Sequence, residues 1–140
     1  MATRSRIAIE NEDGSVKSVY CHFDGYLEGV GTTLLNHYNT KEKVEELVSL
    51  GSLSALYERV KPDEGENHSF GNAVEGITIA YHRDRGESLS IQKNSSVSSF
   101  FNGDIEEHGY CFSKEGEWLY KPGYGMPGME AVPLAGKLGR

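Results

Sequence analysis

Residues 20–38, with the sequence YCHFDGYLEGVGTTLLNHY, predict a β-strand that turns sharply into a helix. Successive side chains of a strand face opposite ways, so Tyr20 and His22 share one face and Cys21 and Phe23 the other. The Asp-Gly pair at residues 24–25 breaks the strand, and apolar residues then recur at helical spacing from residue 30 to residue 38. The stretch therefore fixes a strand-to-helix junction from which the rest of the chain can be placed.

The residues before this junction predict the other half of a β-hairpin. Residues 6–10 place Ile7 and Ile9 on one face, as a half-buried strand does. Residues 12–15 contain Asp-Gly, a strong signal for a tight turn between strands. Residues 16–23 are then the returning strand of the hairpin.

The residues after the junction predict a second helix over residues 41–50. Thr40 suits its N-terminal cap, Val44, Leu47 and Val48 form one apolar face, and Gly51 suits the position after its end. Residues 52–60 are ambiguous, although their apolar positions fit successive helical turns. Residues 61–76 predict a long exposed acidic loop, in which Glu64 and Glu66 could contact a partner.

Shorter segments complete the chain. Residues 77–81 predict a strand, residues 82–87 a charged turn, and residues 95–101 a polar strand or loop. Residues 107–113 and 117–121 predict a second hairpin, in which Tyr110 and Phe112 would pair near Trp118 and Tyr120. Residues 122–140 hold many prolines and glycines, so an irregular, extended or disordered tail is expected there.

This order of elements predicts an α+β protein with an antiparallel sheet and two or three helices packed on one face. A length of 140 residues suits one domain, expected over residues 1–121, followed by the Pro/Gly-rich tail of residues 122–140.

The composition narrows the classes of partner. A formal net charge of −7 argues against direct binding of nucleic acid, which requires basic surface, and favours a basic partner. The sequence shows neither a membrane span nor a signal peptide, so the cytoplasm is the expected compartment. Cys21 and Cys111 lie in strand-like segments beside aromatic residues and are expected to be buried reduced thiols.

Two sequence patterns could carry chemistry. Glycines and threonines at residues 29–33 could cradle a phosphate at a helix start, although a tight turn explains them better. The triplet His-x-Asp occurs as His22/Asp24 and as His82/Asp84, so two strand pairs could together bind a metal. A metal-dependent hydrolase or a nucleotide-binding sponge is therefore the alternative function.

Nucleophilic catalysis is weakly supported. His22 follows Cys21 directly, so on a strand the imidazole and the thiol face apart and the one cannot activate the other. Accordingly, no catalytic residue, resident metal or cofactor is assigned from the sequence.

A binding surface is better supported by the aromatic residues, because tyrosine and arginine are typical of binding hot spots. The surface is expected where the first hairpin meets the turn at residues 81–87. Its candidate residues are Tyr20, His22, Asp24, Tyr26, His37, Tyr81, His82, Arg83, Asp84 and Arg85, with Glu64 and Glu66 from the acidic loop.

Two stretches carry a resemblance. One contains Tyr-Cys-His-Phe-Asp-Gly-Tyr at residues 20–26, and the other is Ala-Tyr-His-Arg-Asp-Arg-Gly-Glu at residues 80–87. With the helix at residues 43–51, they resemble a group of small proteins encoded by bacteriophages, prophages and mobile elements, over roughly residues 6 to 121. The resemblance carries no activity over to particular residues.

What the resemblance implies is a biological setting. Small acidic phage proteins often bind a host component, and counter-defence proteins such as anti-CRISPRs are prominent among them. The expected function is therefore a non-enzymatic phage or prophage accessory protein that binds and inhibits a host protein or nucleoprotein complex. A homodimer and a virion-associated structural role are left open as alternatives.

Overall fold

The computed structural model describes residues 2–123 and 130–139. Over these residues the chain forms an α+β structure with one mixed eight-stranded sheet and short helices. The strands are β1 (Ser5–Glu10), β2 (Val16–Cys21), β3 (Leu53–Ala55), β4 (Ile79–Ala80), β5 (Gln92–Asn94), β6 (His108–Phe112), β7 (Trp118–Pro122) and β8 (Val132–Pro133). The helices are α1 (Thr32–His37), α2 (Lys41–Val48), α3 (Tyr81–Arg85), α4 (Val97–Phe101) and α5 (Leu134–Lys137), and a π-helical turn (Leu27–Gly31) leads into α1.

The sheet is mixed, so the prediction of a wholly antiparallel sheet is wrong. The strand order is β4-β3-β2-β1-β6-β7-β8. β5 and β3 share one edge of β2: β5 pairs with its first half, and β3 pairs with its last residue. β1 runs parallel to β6, and β2 runs parallel to β3. Both parallel contacts join segments that are distant in sequence, and the local hairpin patterns give no information about such pairings.

Both faces of the sheet are covered. On one face, Ile7 and Val19 belong to a buried cluster with Leu34 of α1 and Leu47 of α2. On the other face, Ala8 and Val16 pack in a second buried cluster with the phenylalanines of α4. The expectation that the helices share one face is therefore not confirmed, because α4 packs opposite α1 and α2.

The two hairpins and the second helix, which were predicted from patterns within short stretches of sequence, are present. β1 and β2 form the first hairpin, with Ile7 opposite Val19. The Thr40 side chain accepts a hydrogen bond from the Lys43 amide at the start of α2, and Gly51 follows that helix with φ of +76°. The second hairpin pairs Tyr110 with Tyr120 and Phe112 with Trp118, as predicted.

Several weaker predictions are corrected. Residues 53–55 form β3 rather than part of a helix, because their backbone pairs with both β2 and β4. Residues 97–101 form α4, whose start is capped by the Ser96 side chain accepting from the Ser99 amide. The strand predicted over residues 77–81 is reduced to β4, and most of the predicted charged turn is helix α3, which ends at Gly86 in the left-handed region.

The prediction for the C-terminal segment is wrong for residues 132–137. β8 pairs with β7, and Leu134 at the start of α5 is fully buried in the main cluster. The prediction for residues 124–129 and 140 lies outside the described residues. Among the helices that the structure describes, none is long and apolar enough to cross a membrane.

Candidate functional site

One end of the sheet gathers aromatic and titratable side chains from several strands. Ser5, at the start of β1, pairs with Cys21 at the end of β2 and with His108 at the start of β6. The opposite end of the sheet carries the two hairpin turns instead. We call the first region the aromatic end and define it by Tyr20, His22, Phe23, Tyr26, His108 and Tyr120.

Tyr20, near the end of β2, contacts His22, which in turn contacts Phe23. The Tyr20 hydroxyl shares a 2.6 Å hydrogen bond with Nδ1 of His22, and the His22 ring meets the edge of Phe23 at 4.6 Å between centroids. Burial, and then the nearby Glu106 carboxylate, raises the pKa of the Tyr20 phenol. Tyr20 and His22 therefore form a hydrogen-bonded pair, as their shared strand face predicted.

A second tyrosine–histidine pair lies on the other side of β1. Nδ1 of His108 lies 2.7 Å from the Tyr120 hydroxyl, and the two rings are stacked. Burial lowers the pKa of His108, against the opposing effect of Glu107 and Glu28. Sequence reasoning missed this pair, although the register that sets Tyr110 opposite Tyr120 places His108 two residues away on the same face.

The loop that follows β2 is held by backbone contacts. Asp24 adopts φ of +58°, and its carbonyl accepts a 2.8 Å hydrogen bond from the Val30 amide. The Gly25 amide donates to the Thr3 carbonyl, and the Gly25 carbonyl accepts from the buried Tyr110 hydroxyl at 2.7 Å. The backbone of residues 24–30 is thus fixed to β6 and to the chain just before β1.

The glycines of this loop act as turn residues. The amides of Gly29 and Gly31 donate to the Tyr26 carbonyl, so they are used inside the turn and do not face an anion. A methyl group at Gly29 would lie 2.3 Å from the Asp24 carbonyl oxygen, so only glycine fits there. The geometry therefore favours the tight-turn interpretation over the phosphate cradle.

The two His-x-Asp segments lie on either side of β3. The His22 amide donates to the Leu53 carbonyl, and the Tyr81 amide donates to the adjacent Ser52 carbonyl. The end of the first hairpin and the start of residues 81–87 are therefore separated by β3, and both are hydrogen-bonded to that segment. However, His82 and Asp84 belong to a helix, so the assumption that they share a strand face is wrong.

Asp84 is the centre of a buried polar network. Its carboxylate accepts hydrogen bonds from the Ala80 amide and from the guanidinium of Arg83, and its side chain is only 3% exposed. Nε2 of His68 lies 3.2 Å from the same carboxylate, and its side chain is 1% exposed. Because Nδ1 of His68 accepts from the Val74 amide, Nε2 must carry the proton and donate to Asp84.

The Arg83 side chain, which is 25% exposed, is held by three partners. Besides Asp84, its guanidinium donates to the carbonyls of Val60 and Thr78, each at 2.6 Å. Both Arg83 and Asp84 were predicted to lie on the binding surface. In the structure, Asp84 joins α3 to His68 of the loop of residues 61–76, and Arg83 binds the chain on either side of that loop. His68, which has no motif around it, could not have been found from the sequence.

The metal hypothesis receives no support from this arrangement. The Asp84 carboxylate is already bound by three donors, and His82 donates from Nδ1 to the Glu87 carbonyl. In residues 2–123 and 130–139, no group of three or more His, Cys, Asp or Glu side chains is placed to hold a metal ion.

The remaining candidate residues divide between two regions. Arg85 lies over the rings of Phe70 and Tyr81, at 4.6 and 5.1 Å from their centroids, and pairs with Glu87. His37 is exposed at the end of α1, next to Tyr38, whose carbonyl accepts from Trp118 at the opposite end of the sheet. His37 is therefore not part of the aromatic end.

The two acidic-loop candidates have different surroundings. Glu66 accepts hydrogen bonds from Arg59 and from the Asp63 amide, so its carboxylate shapes the loop. Glu64 is exposed, and its carboxylate has no partner among the described residues. Of these two carboxylates, Glu64 is the one left free for an outside contact.

The thiols are poorly placed for chemistry. Cys21 and Cys111 are both buried, and burial raises the pKa of each thiol to about 12. A reactive cysteine needs an accessible thiolate, which these environments disfavour.

No protein-family model matches this chain, and neither a curated protein nor a solved structure is significantly similar to it.

Proposed function

We propose that this protein is a non-enzymatic accessory protein of a phage or mobile element that binds and inhibits a host defence component, as anti-CRISPR proteins do. It would act in the host cytoplasm. The setting comes from the sequence resemblance at residues 20–26 and 80–87. One structural observation supports the binding role: large aromatic side chains are exposed on a backbone that is fixed from within.

The exposed side chains are Phe23 and Tyr26, which are 43% and 42% exposed. Folding normally hides such side chains, and aromatic residues on rigid backbone lose little entropy when a partner covers them. The two residues lie three positions apart on the loop that Thr3 and Tyr110 hold in place. This loop is therefore where we expect a partner to bind.

Affinity capture from a host lysate, read by mass spectrometry, tests the proposal. The baits are the wild-type protein, a Phe23→Ala/Tyr26→Ala variant and a Tyr57→Ala control. Tyr57 is also 42% exposed but follows β3, outside the loop. A host protein enriched by the wild type and the control, and lost with the double variant, is expected; identical captures from all three baits would contradict the proposal.

Inhibition of defence is tested separately by phage challenge. Wild-type protein expressed in a host with an active defence system should raise the number of plaques, and the double variant should not. The Tyr57→Ala control should behave as the wild type. Plaque numbers unaffected by the wild-type protein would reject the inhibitory role even if a partner were captured.

A contribution from the acidic loop can be measured with the same partner. Glu64→Lys should weaken binding and flatten its salt dependence, because it reverses an exposed, unpaired carboxylate. Glu66→Lys is unsuitable because it would also break the contact with Arg59. Unchanged affinity and salt dependence in Glu64→Lys would remove the acidic loop from the interface.

A further inference from the structure

We propose that the partner segment bound by the loop of residues 23–28 is basic, that is, a peptide segment bearing arginine or lysine side chains. This inference rests on the proposed function, since it names the chemistry of the partner at the same surface. It follows from the charges around the exposed aromatic residues and from the way the loop is fixed.

The loop alternates aromatic and acidic residues within six positions. Phe23 and Tyr26 are exposed, and so are Asp24 and Glu28. Within the described part of the chain, neither carboxylate has an ion-pair or hydrogen-bond partner. A cation over an aromatic ring gains from the ring's electrons, and a carboxylate beside it adds an ion pair, so this combination suits a guanidinium or an ammonium group.

The cations near the loop do not neutralise these carboxylates. Arg4, next to the Thr3 carbonyl that holds Gly25, pairs with Glu107 at 3.6 Å. Arg6, two residues further on, donates to Ser18. The carboxylates of Asp24 and Glu28 are thus left for an outside cation.

The fixed backbone strengthens the inference. Asp24 holds a positive φ, which is uncommon for a residue other than glycine, and its carbonyl closes the loop onto Val30. Gly29 lies so close to the Asp24 carbonyl that there is no room for a side chain between them. The backbone that carries the four side chains is therefore fixed before binding, which lowers the entropy lost when a partner binds.

A second copy of this chain fits the loop less well. Related by a twofold axis, two copies would bring the same carboxylates of Asp24 and Glu28 towards each other, and like charges in contact are unfavourable. The overall charge of −7 acts in the same direction. A basic partner removes both penalties.

The test uses a labelled (Arg-Gly)4 peptide and the full-length protein, with binding followed by fluorescence polarisation and by amide chemical shifts. Asp24→Asn/Glu28→Gln removes two charges and keeps the side-chain shapes; asparagine tolerates the positive φ of residue 24. The matched control is Glu115→Gln/Glu117→Gln, which removes two exposed carboxylates at the opposite end of the sheet.

The peptide should shift the amides of residues 22–30, and Asp24→Asn/Glu28→Gln should weaken binding about fivefold, as expected for losing two exposed ion pairs. The control should bind as the wild type does. Equal weakening in both variants, shifts confined to residues 61–76, or a dimer that Phe23→Ala/Tyr26→Ala dissociates would each overturn the basic-partner inference.

These outcomes are distinct from failure of the proposed function. A host protein captured through Phe23 and Tyr26 would keep the proposed function even if the peptide bound elsewhere. Conversely, capture that does not depend on Phe23 and Tyr26 would remove the proposed function whatever the peptide result.

Discussion

The loop of residues 23–28 and the loop of residues 61–76 are held in opposite ways. The shorter loop is fixed by backbone groups, through Thr3, Val30 and the Tyr110 hydroxyl. Four of its side chains are exposed, those of Phe23, Asp24, Tyr26 and Glu28. The longer loop is fixed mainly by its side chains, since Glu66 binds Arg59 and His68 binds Asp84. One backbone bond, from the Phe70 amide to the Asp84 carbonyl, adds to them. Both loops contributed candidate binding residues in the sequence analysis: Asp24 and Tyr26 in the shorter loop, and Glu64 and Glu66 in the longer one.

This difference shows that a charged loop residue is not necessarily available to an outside partner. In the longer loop, which has little regular backbone pairing, charged and polar side chains supply the missing connections. In the shorter loop the backbone is already satisfied, so Asp24 and Glu28 remain free for a partner. Five predictions test the contrast, from the largest expected effect on stability to the smallest.

Asp84→Ala should be the most damaging change. It leaves the buried Nε2–H of His68 without an acceptor and the Arg83 guanidinium without its counter-ion, which costs about 3–5 kcal/mol in comparable buried pairs. Urea denaturation should report the loss, and hydrogen exchange should show faster opening of residues 61–76. A loss below about 1 kcal/mol would mean that side chains do not hold the longer loop.

The same carboxylate predicts a pH dependence. Burial raises the pKa of Asp84, but hydrogen bonds from Arg83 and Ala80 outweigh this and hold it below its ordinary value. A lowered folded-state pKa gives stability that is present above the unfolded pKa, about 4, and is lost as pH falls through the folded value. The stability difference between wild type and Asp84→Asn should therefore shrink below about pH 4.

Gly29→Ala should have the next largest effect on stability. Its methyl group would lie 2.3 Å from the Asp24 carbonyl oxygen, so the shorter loop must distort at a cost of about 1–3 kcal/mol. The control is Gly71→Ala in the longer loop, where an added methyl group has no atom within 4 Å and the backbone angle is ordinary. Equal thermal stability of the two variants would show that the shorter loop is not tightly fixed.

Tyr110→Phe removes one of the anchors of the shorter loop without changing its shape. The buried Gly25 carbonyl loses its 2.7 Å hydrogen bond, and the expected destabilisation is about 1–2 kcal/mol. Amide exchange of residues 24–30 should accelerate, whereas that of residues 61–76 should not. Acceleration in both loops alike would show that the two are one cooperative unit.

Arg59→Gln should have the smallest effect on global stability. Its ion pairs with Asp63 and Glu66 lie at the protein surface, where solvent screens them, so only a small loss of global stability is expected. The change should appear mainly as local opening of residues 63–76 in hydrogen exchange. Glu64→Gln, which breaks no contact within the described residues, should leave the exchange of that loop as in the wild type.

The parts of the fold that could be predicted are those whose signal lies within a few residues. The Asp-Gly turn and the alternation of Ile7 and Ile9 predicted the first hairpin, and Thr40 and Gly51 bounded α2. β3 could not be recognised, because its three residues become a strand only between β2 and β4. The parallel pairing of β1 with β6 joins segments about a hundred residues apart, beyond any local pattern.

The candidate site was predicted in the same uneven way. The alternation of β2 was enough to pair Tyr20 with His22. The first hairpin was expected to meet residues 81–87, and in the structure both are hydrogen-bonded to the segment of β3 that lies between them. Arg83 and Asp84 were predicted to lie on the binding surface. Asp84 is instead buried against His68, which is sixteen residues away in the chain, and Arg83 binds Asp84 and two backbone carbonyls. The spacing of residues along the sequence does not predict a contact between a loop and a distant helix.

The sequence by itself determined the two hairpins, the helix after Thr40 and the tight turn at residues 24–31, because each follows from local backbone preferences and side-chain alternation. Only the tertiary structure decided which charged groups are free. The partners of Asp84 and Glu66 come from distant or irregular segments, and a carboxylate is available to an outside partner only when folding has left it unpaired.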